Sequence, residues 1–421
     1  RGLQLYARLP AERLRAIALA QSELAERNRP DAFAGEWLAG AAPLTAGKAQ
    51  PAAPPSLLTL IDIHQDLDVL LPVLEALQAR GEVRLRLALS EYLLADSPRI
   101  AAALAARGLD FATHPREAIR AGSEPALAGI DGVLSGADTN TRAHKAGHTL
   151  AGRAKAQGLA TFTLQHGLEN IGLTYKDHLH GEEIRFASDR IFIWGAPEGL
   201  APWVPEETRA KVVPAGSPKA VPLPAAAPGL HQGHWPEVVG VFENLHWHRF
   251  SELYLERCLE DLEQAAIARP STLFLVKPHH AGRWLSRNRA RLAERPNLVI
   301  IDPTDSAWEP HTAPALIASV DRVLTTPSTV ALDAARTGRP VAVLGYDLEL
   351  PLYDPLPVVR RPGDLDAFLE SPIEDALVRN EAFLRRAVLP GRADHRIAAA
   401  IAEALAERRA AKPARRRWFS A

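Results

Sequence analysis

The chain has a single cysteine, Cys258, and no methionine in 421 residues. One cysteine excludes a disulfide framework and a cysteine-based metal centre, and it suits a reducing compartment such as the cytoplasm. The missing methionine is unusual at this length, and motifs inside short runs carry more weight than long-range register. An excess of charge of one sign is missing as well: Lys and Arg number 49 against 50 Asp and Glu, a formal net charge of -1. No global field then favours nucleic acid, which is excluded as a partner. No run approaches the roughly 18 consecutive apolar residues of a spanning helix, and no signal peptide is expected at the start. What remains is a soluble, globular composition, too long for one ordinary core and suited to two domains.

What is present is a repeated alternation of short apolar runs and amphipathic stretches. Residues 1 to about 40 carry apolar side chains at near-helical spacing, and Ala41–Ser56 is rich in Pro and Ala. Strands are then expected at Leu57–Ile63, Val83–Leu89, Asp110–Thr113, Gly132–Ser135, Ala160–Leu164, Arg190–Trp194 and Lys211–Pro214, with helices at Leu67–Ala79, Arg99–Arg107 and Thr141–Gln157. Pro218–Pro236 loses the pattern and reads as a linker. The alternation restarts with strands Val238–Phe242, Leu273–Val276, Leu298–Ile301, Arg322–Thr325 and Val341–Leu344 and helices Phe250–Ala268, Trp284–Glu294, Ala313–Ala318 and Val330–Thr337. From Pro362 the chain reads as mostly helical. Repeated strand–helix units of this kind predict parallel, helix-covered sheets. The expected architecture is therefore α/β: two Rossmann-like domains facing a cleft, a helical N-terminal segment and C-terminal helices. Its boundaries are 1–50 for the helical segment and linker, 51–220 for an N-terminal domain, 221–236 for the linker, 237–390 for a C-terminal domain and 391–421 for a final helix and basic tail.

Two short runs in the second half suit a phosphate-bearing ligand. Val276-Lys277-Pro278-His279-His280 and Thr325-Thr326-Pro327-Ser328-Thr329-Val330 each follow a strand, and the second opens a helix. Ser328 and Thr329 offer hydroxyls and the first helical N–H groups to an anion, or serve as an ordinary helix cap. Lys277 can neutralise phosphate, and His279 can donate to phosphate, base or ribose. Asn244 follows the first strand of this half, beside His246, Trp247 and His248. Trp247 either stacks on a sugar or base or packs between domains, and a metal on His246 and His248 lacks a nearby carboxylate or Cys cluster, so no metal is expected.

These pieces, with Gln165-His166-Gly167 after a strand and Gly216-Ser217-Pro218-Lys219, resemble the motifs of GT-B glycosyltransferases. Lys277-Pro278-His279-His280 is similar to the HP motif and Ser328-Thr329 to the Ser/Thr motif of bacterial sialyl- and capsule-polysaccharide transferases that use CMP-sugars. Gln165-His166-Gly167 resembles the His-Gly turn of capsule transferases, glycerophosphate polymerases and sugar-nucleotide 2-epimerases. His280 stands where the HP motif usually has another Pro, and the paired glutamates of retaining GT-B enzymes are absent.

The resemblance implies a metal-independent glycosyltransferase of surface polysaccharide. It needs no cofactor beyond a nucleotide-sugar co-substrate, with a CMP-linked acidic sugar such as Kdo or sialic acid first and a UDP-sugar next. The partner would be a glycan or lipid-linked acceptor. Lys277, His279, Ser328, Thr329 and Asn244 would hold the nucleotide, and Glu169, Asn170 and Trp247 the sugar. His166 can take a proton from an attacking hydroxyl. Asp138, in Ser135-Gly136-Ala137-Asp138-Thr139-Asn140, is a candidate base or nucleophile, or else a helix cap. Asp62 and His64 are second choices by the same strand-edge argument. Asp347, Glu349, Tyr353 and Asp354 form an acidic loop, at the cleft or simply solvated. The basic stretch Arg408–Phe419 can lie on an anionic membrane face at roughly 1 kcal/mol per basic residue, which would put the enzyme at the inner face of the membrane. Two alternatives stay open: a UDP-sugar 2-epimerase-like isomerase, and a non-catalytic nucleotide- or glycan-binding module.

Overall fold

The computed structural model describes residues 53–97, 99–176, 183–220, 235–279, 282–301 and 312–411. The expected N-terminal helix, most of both linkers, His280 and the tail beyond residue 411 lie outside them. The described residues from Pro54 onward form one compact unit containing two sheets.

The first sheet is built from β1 (Ser56–Ile61), β2 (Arg84–Ser90), β3 (Phe111–His114), β4 (Gly132–Ser135), β5 (Ala160–Leu164), β6 (Arg190–Ile193) and β7 (Val212–Pro214). Its spatial order is β3-β2-β1-β4-β5-β6-β7, and every pairing is parallel. The connecting helices are α1 (His64–Arg80), α2 (Glu91–Asp96), α3 (Arg99–Ala105), α4 (Arg116–Ala121) and α5 (Lys145–Ala156). All six residues of β1 are buried, as a strand covered on both faces requires. In α1, Val69, Leu70, Val73, Leu74 and Leu77 recur at helical spacing and are fully buried, each worth about 1.5–3 kcal/mol.

The second sheet holds β8 (Glu237–Glu243), β9 (Thr272–Pro278), β10 (Leu298–Ile300), β11 (Arg322–Thr325), β12 (Val341–Leu344) and β13 (Val358–Val359). Its order is β10-β9-β8-β11-β12-β13, again parallel throughout. It is accompanied by α6 (Glu252–Ala268), α7 (Trp284–Asn288), α8 (Ala313–Ser319), α9 (Val330–Arg336), α10 (Asp364–Glu370) and α11 (Ile373–Ala387). A last helix, α12 (Ala393–Ala411), returns to the first half and packs on α1 and β5. One apolar cluster consequently includes Leu57, Leu74, Val238, Phe242 and Leu405 together.

The outgoing and returning chains run side by side at the crossing. Leu389 donates its amide to the Trp194 carbonyl at 2.8 Å, and Arg396 Nε donates to the Ala215 carbonyl at 2.9 Å. Gly216 takes φ +86° there, and a Cβ would lie 2.8 Å from the Leu389 carbonyl, so this turn needs glycine. Arg408 and Arg409, counted with the basic tail, belong to α12 and face Asp189 and Asp131. No described helix is long and apolar enough to cross a membrane.

Differences from the expected elements are local. Thr141–Gln157 is a 3₁₀ turn at Arg142–His144 followed by α5, and Trp284–Glu294 shortens to α7 plus a 3₁₀ turn at Arg289–Arg291. Helices α2 and α4, of six residues each, were not expected because under two turns carry no usable period.

Candidate functional site

In parallel sheets, ligands gather where the strand order reverses, at the carboxyl ends. The reversal lies between β1 and β4 in the first sheet and between β8 and β11 in the second. The candidate residues sit at these two places and on the β5 turn beside the first.

At the second reversal, the chain leaves β8 through Asn244 and β11 through Thr326-Pro327-Ser328-Thr329. The Asn244 amide donates to Thr326 Oγ1 at 3.0 Å, Thr326 Oγ1 donates to Asn244 Oδ1 at 2.6 Å, and Asn244 Nδ2 donates to the Pro327 carbonyl at 3.1 Å. Asn244 is thereby a clamp that sets the turn. Ser328 Oγ accepts the Val330 amide at 3.1 Å and lies 3.1 Å from Thr325 Oγ1, which fixes the turn leading into α9; the N-cap residue Thr329 makes no side-chain cap bond. Glu243, which the sequence reading passed over, is buried and accepts the Leu245 amide at 2.8 Å and the Leu285 amide at 3.3 Å. Burial pushes its carboxyl above the usual range.

Thr329 does something different. Its Oγ1 accepts the Leu168 amide of the first half at 2.9 Å. A Cβ on Gly167 would lie 3.1 Å from the same oxygen, so glycine permits this approach of backbone to turn. The Gln165–Asn170 turn is itself locked from inside. Gln165 Nε2 donates to the Gly167 carbonyl at 2.9 Å, and Gln165 Oε1 accepts the Trp194 amide at 2.8 Å. Asn170, buried, accepts the His166 amide on Oδ1 at 3.1 Å and donates from Nδ2 to the Ile171 carbonyl at 3.2 Å. Asn170 therefore shapes the turn with the very groups expected to bind sugar.

His166 packs edge-on against His144 with ring centroids 5.1 Å apart. Burial lowers its pKa to about 4, against a hydrogen bond to the Gly136 backbone that raises it. The imidazole is thus neutral near pH 7. Asp138 is fully buried, and its Oδ2 accepts the Ser188 amide at 2.8 Å. Burial raises its pKa. It caps no helix, and its carboxylate faces the protein interior. Beside it at the first reversal, Asp62 makes a two-pronged pair with Arg116, both contacts at 2.9 Å. Asp66 accepts the Asp62 and Ile63 amides at 2.9 and 3.1 Å. Burial lifts its carboxyl to about 7.

Glu169 points to the other half and meets Arg249 Nη1 at 2.6 Å. Lys277 lies on β9 opposite Phe242, one position before Pro278. The His279 ring stacks on His246 at 4.7 Å, and His246 contacts Trp247 at 4.9 Å. Trp247 stays 46% exposed, which leaves a ring face for a ligand. Among the described residues no three His, Cys, Asp or Glu side chains converge as a metal site. In the acidic loop, Tyr353 is fully buried and Asp347 accepts Ser251 Oγ at 2.6 Å, while Asp347, Glu349 and Asp354 are all exposed, so the acids form a solvated turn anchored by the tyrosine. The Lys219 of the Gly216 turn pairs with Asp333 on α9 and approaches Asp68 on α1 at 3.9 Å. Arg249, Asp66 and Glu243 escaped the sequence reading because no local motif marks them.

No protein-family model matches the chain, and no curated protein matches it by sequence. Solved structures do resemble it in fold. MnaA of S. aureus, solved with UDP, superposes with a TM-score of 0.61 at 13% identity over 84% of this chain and 97% of that one. UDP-GlcNAc 2-epimerase from Neisseria meningitidis bound to UDP-GlcNAc gives 0.55 at 15% identity over 84% and 100%. The glycotransferase of kitacinnamycin gives 0.50 at 14% identity over 84% and 99%. The fold is the two-sheet GT-B arrangement common to such epimerases and glycosyltransferases.

Proposed function

We propose that the protein is a metal-independent enzyme of nucleotide sugars. The nucleotide's phosphates would lie at the Thr326–Val330 turn, and the sugar on the Gln165–Asn170 turn. The observation that carries this is the hydrogen bond from the Leu168 amide to Thr329 Oγ1, which joins turns from the carboxyl edges of both sheets. A ligand spanning the two would touch both halves at once, and closure would supply much of the rate through positioning.

UDP takes the place of CMP as the first nucleotide, because structural neighbours were solved with UDP and UDP-GlcNAc. Epimerisation at the sugar's C2 is accordingly the first reading of the reaction. It requires a proton to leave C2 as the C1–O bond to the diphosphate breaks, and a proton to return on the other face as that bond re-forms. Glu169, whose carboxyl burial holds above its usual range, and neutral His166 are the groups on the sugar side suited to exchange it. Transfer to a glycan or lipid-linked hydroxyl is the second reading. The neutral state of His166 favours it, since an uncharged imidazole can accept the hydroxyl proton. Asp138, bonded to Ser188, would act by holding the loop before β6 in place.

The test is calorimetric titration with UDP and CMP, followed by proton NMR of UDP-GlcNAc with the protein in D2O. Loss of the C2 proton signal with appearance of a second sugar epimer supports epimerisation. UDP released only when a glycan acceptor is added supports transfer. Binding without either reaction reduces the protein to a binding module, and no binding of any nucleotide sinks the proposal.

A further inference from the structure

The Glu169–Arg249 pair has a feature that neither half explains alone. Arg249 sits in the loop between β8 and α6, the loop that also carries the Asn244 clamp. Its side chain is only 15% exposed and that of Glu169 17%, and they come from opposite halves of the chain. The guanidinium lies over the Tyr175 ring at 4.9 Å from its centroid. Glu169 is next in sequence to Leu168, whose amide is on Thr329 Oγ1. A partly buried guanidinium is thus held beside the proposed anion turn by a carboxylate from across the cleft.

We propose that Arg249 is a binding residue for the ligand's diphosphate and that Glu169 is its resting counter-ion, displaced when the diphosphate enters. This rests on the nucleotide-sugar reading above. A partly buried cation is costly without an anion beside it, and a diphosphate accepts two parallel guanidinium N–H bonds as well as a carboxylate does. The exchange conserves charge pairing at Arg249 and breaks no covalent bond. It frees the Glu169 carboxylate on the sugar side, where burial, no longer opposed by Arg249, raises its affinity for a proton. Substrate entry would itself release the base. Arg249 stays cationic throughout: burial opposes its charge, and Glu169 outweighs that.

The two partners must then respond in opposite directions. In calorimetric titration of the full chain with UDP, and separately with inorganic pyrophosphate, Glu169→Gln and Glu169→Ala should bind about tenfold more tightly than wild type, a change of about 1.4 kcal/mol. Arg249→Gln should bind at least about tenfold more weakly. A pair that only braces the fold would weaken binding in all three variants. Glu169 variants that bind no tighter, or a folded Arg249→Gln with undiminished affinity, overturn the inference while wild-type binding keeps the nucleotide reading alive. Wild type that binds neither probe overturns both. Melting temperatures without ligand identify any variant that fails to fold, and the remaining ones still decide.

Discussion

Replacing Lys219 by Met tests how the two halves are held together. The Lys219 ammonium pairs with Asp333, whose side chain is 4% exposed, and that pair ties the crossing chain to α9. Lys219 is on Asp333 Oδ2 and Oδ1 has no hydrogen-bond partner, so the substitution strands a buried carboxylate. Breaking a buried pair from one side costs about 3–5 kcal/mol. The contact to Asp68 adds little, because that side chain is 57% exposed and screened, and exposed pairs are worth about 0–1 kcal/mol. Urea unfolding at pH 7 should show the full loss in Lys219→Met and under about 1 kcal/mol in Asp68→Asn. The double variant Lys219→Met/Asp333→Leu should recover most of the loss, since no charge is then stranded. Lys219 also has a pH signature. Burial opposes its charge, but Asp333 and Asp68 outweigh burial and hold its pKa above 10.5. Its contribution is therefore complete below 10.5 and fades as pH rises through the folded value. Lys219→Met within about 1 kcal/mol of wild type, or a double variant as unstable as the single one, would refute the argument.

Three further outcomes follow from the site. Thr329→Val keeps the side-chain volume but removes the acceptor of the buried Leu168 amide, so it should cost about 1–3 kcal/mol and speed hydrogen exchange at that amide. Unchanged exchange would mean that the halves are not joined there. Asp66 has a folded pKa of about 7, above its ordinary 3.8, owing to burial. Its contribution is present below 3.8 and lost as pH rises through about 7, so Asp66→Asn should flatten that part of the stability–pH curve; an identical curve refutes the assignment. The His166 ring should remain neutral until the pH approaches about 4, as read by NMR of its ring protons. Titration near the ordinary value of 6.5 would show that the ring is hydrated and not buried as described.

Much of the fold was legible because parallel strands covered on both faces read as unbroken apolar runs. Gly132–Ser135, Ala160–Leu164, Arg322–Thr325 and Val341–Leu344 begin and end where the runs do. Punctuation by Gly and Pro marked their ends. Elements under two turns or two residues long, such as α2 and β13, carry no period and were invisible. The turns of the candidate site were legible for the same local reason: hydroxyl-rich Thr325–Thr329 and Gln165-His166-Gly167 each follow a strand directly.

What could not be read is which turn meets which. Leu168 and Thr329 are 161 residues apart, Lys219 and Asp333 are 114 apart, and Glu169 and Arg249 are 80 apart. Nothing in spacing relates such pairs; strand order does, and strand order is set by how whole sheets pack. Side-chain direction is equally non-local. Asp138 stands at a strand edge like a catalytic acid, yet it turns inward because the Ser188 amide offers it a buried partner. Glu169 stands on a similar edge and turns outward to the cleft because Arg249 is there to meet it. Two carboxylates with similar sequence credentials thus receive opposite placements from residues 50 and 80 positions away. A motif can therefore nominate a strand edge, but the direction in which an acid on that edge turns is set by partners far away in the chain, in the same half for Asp138 and in the opposite half for Glu169.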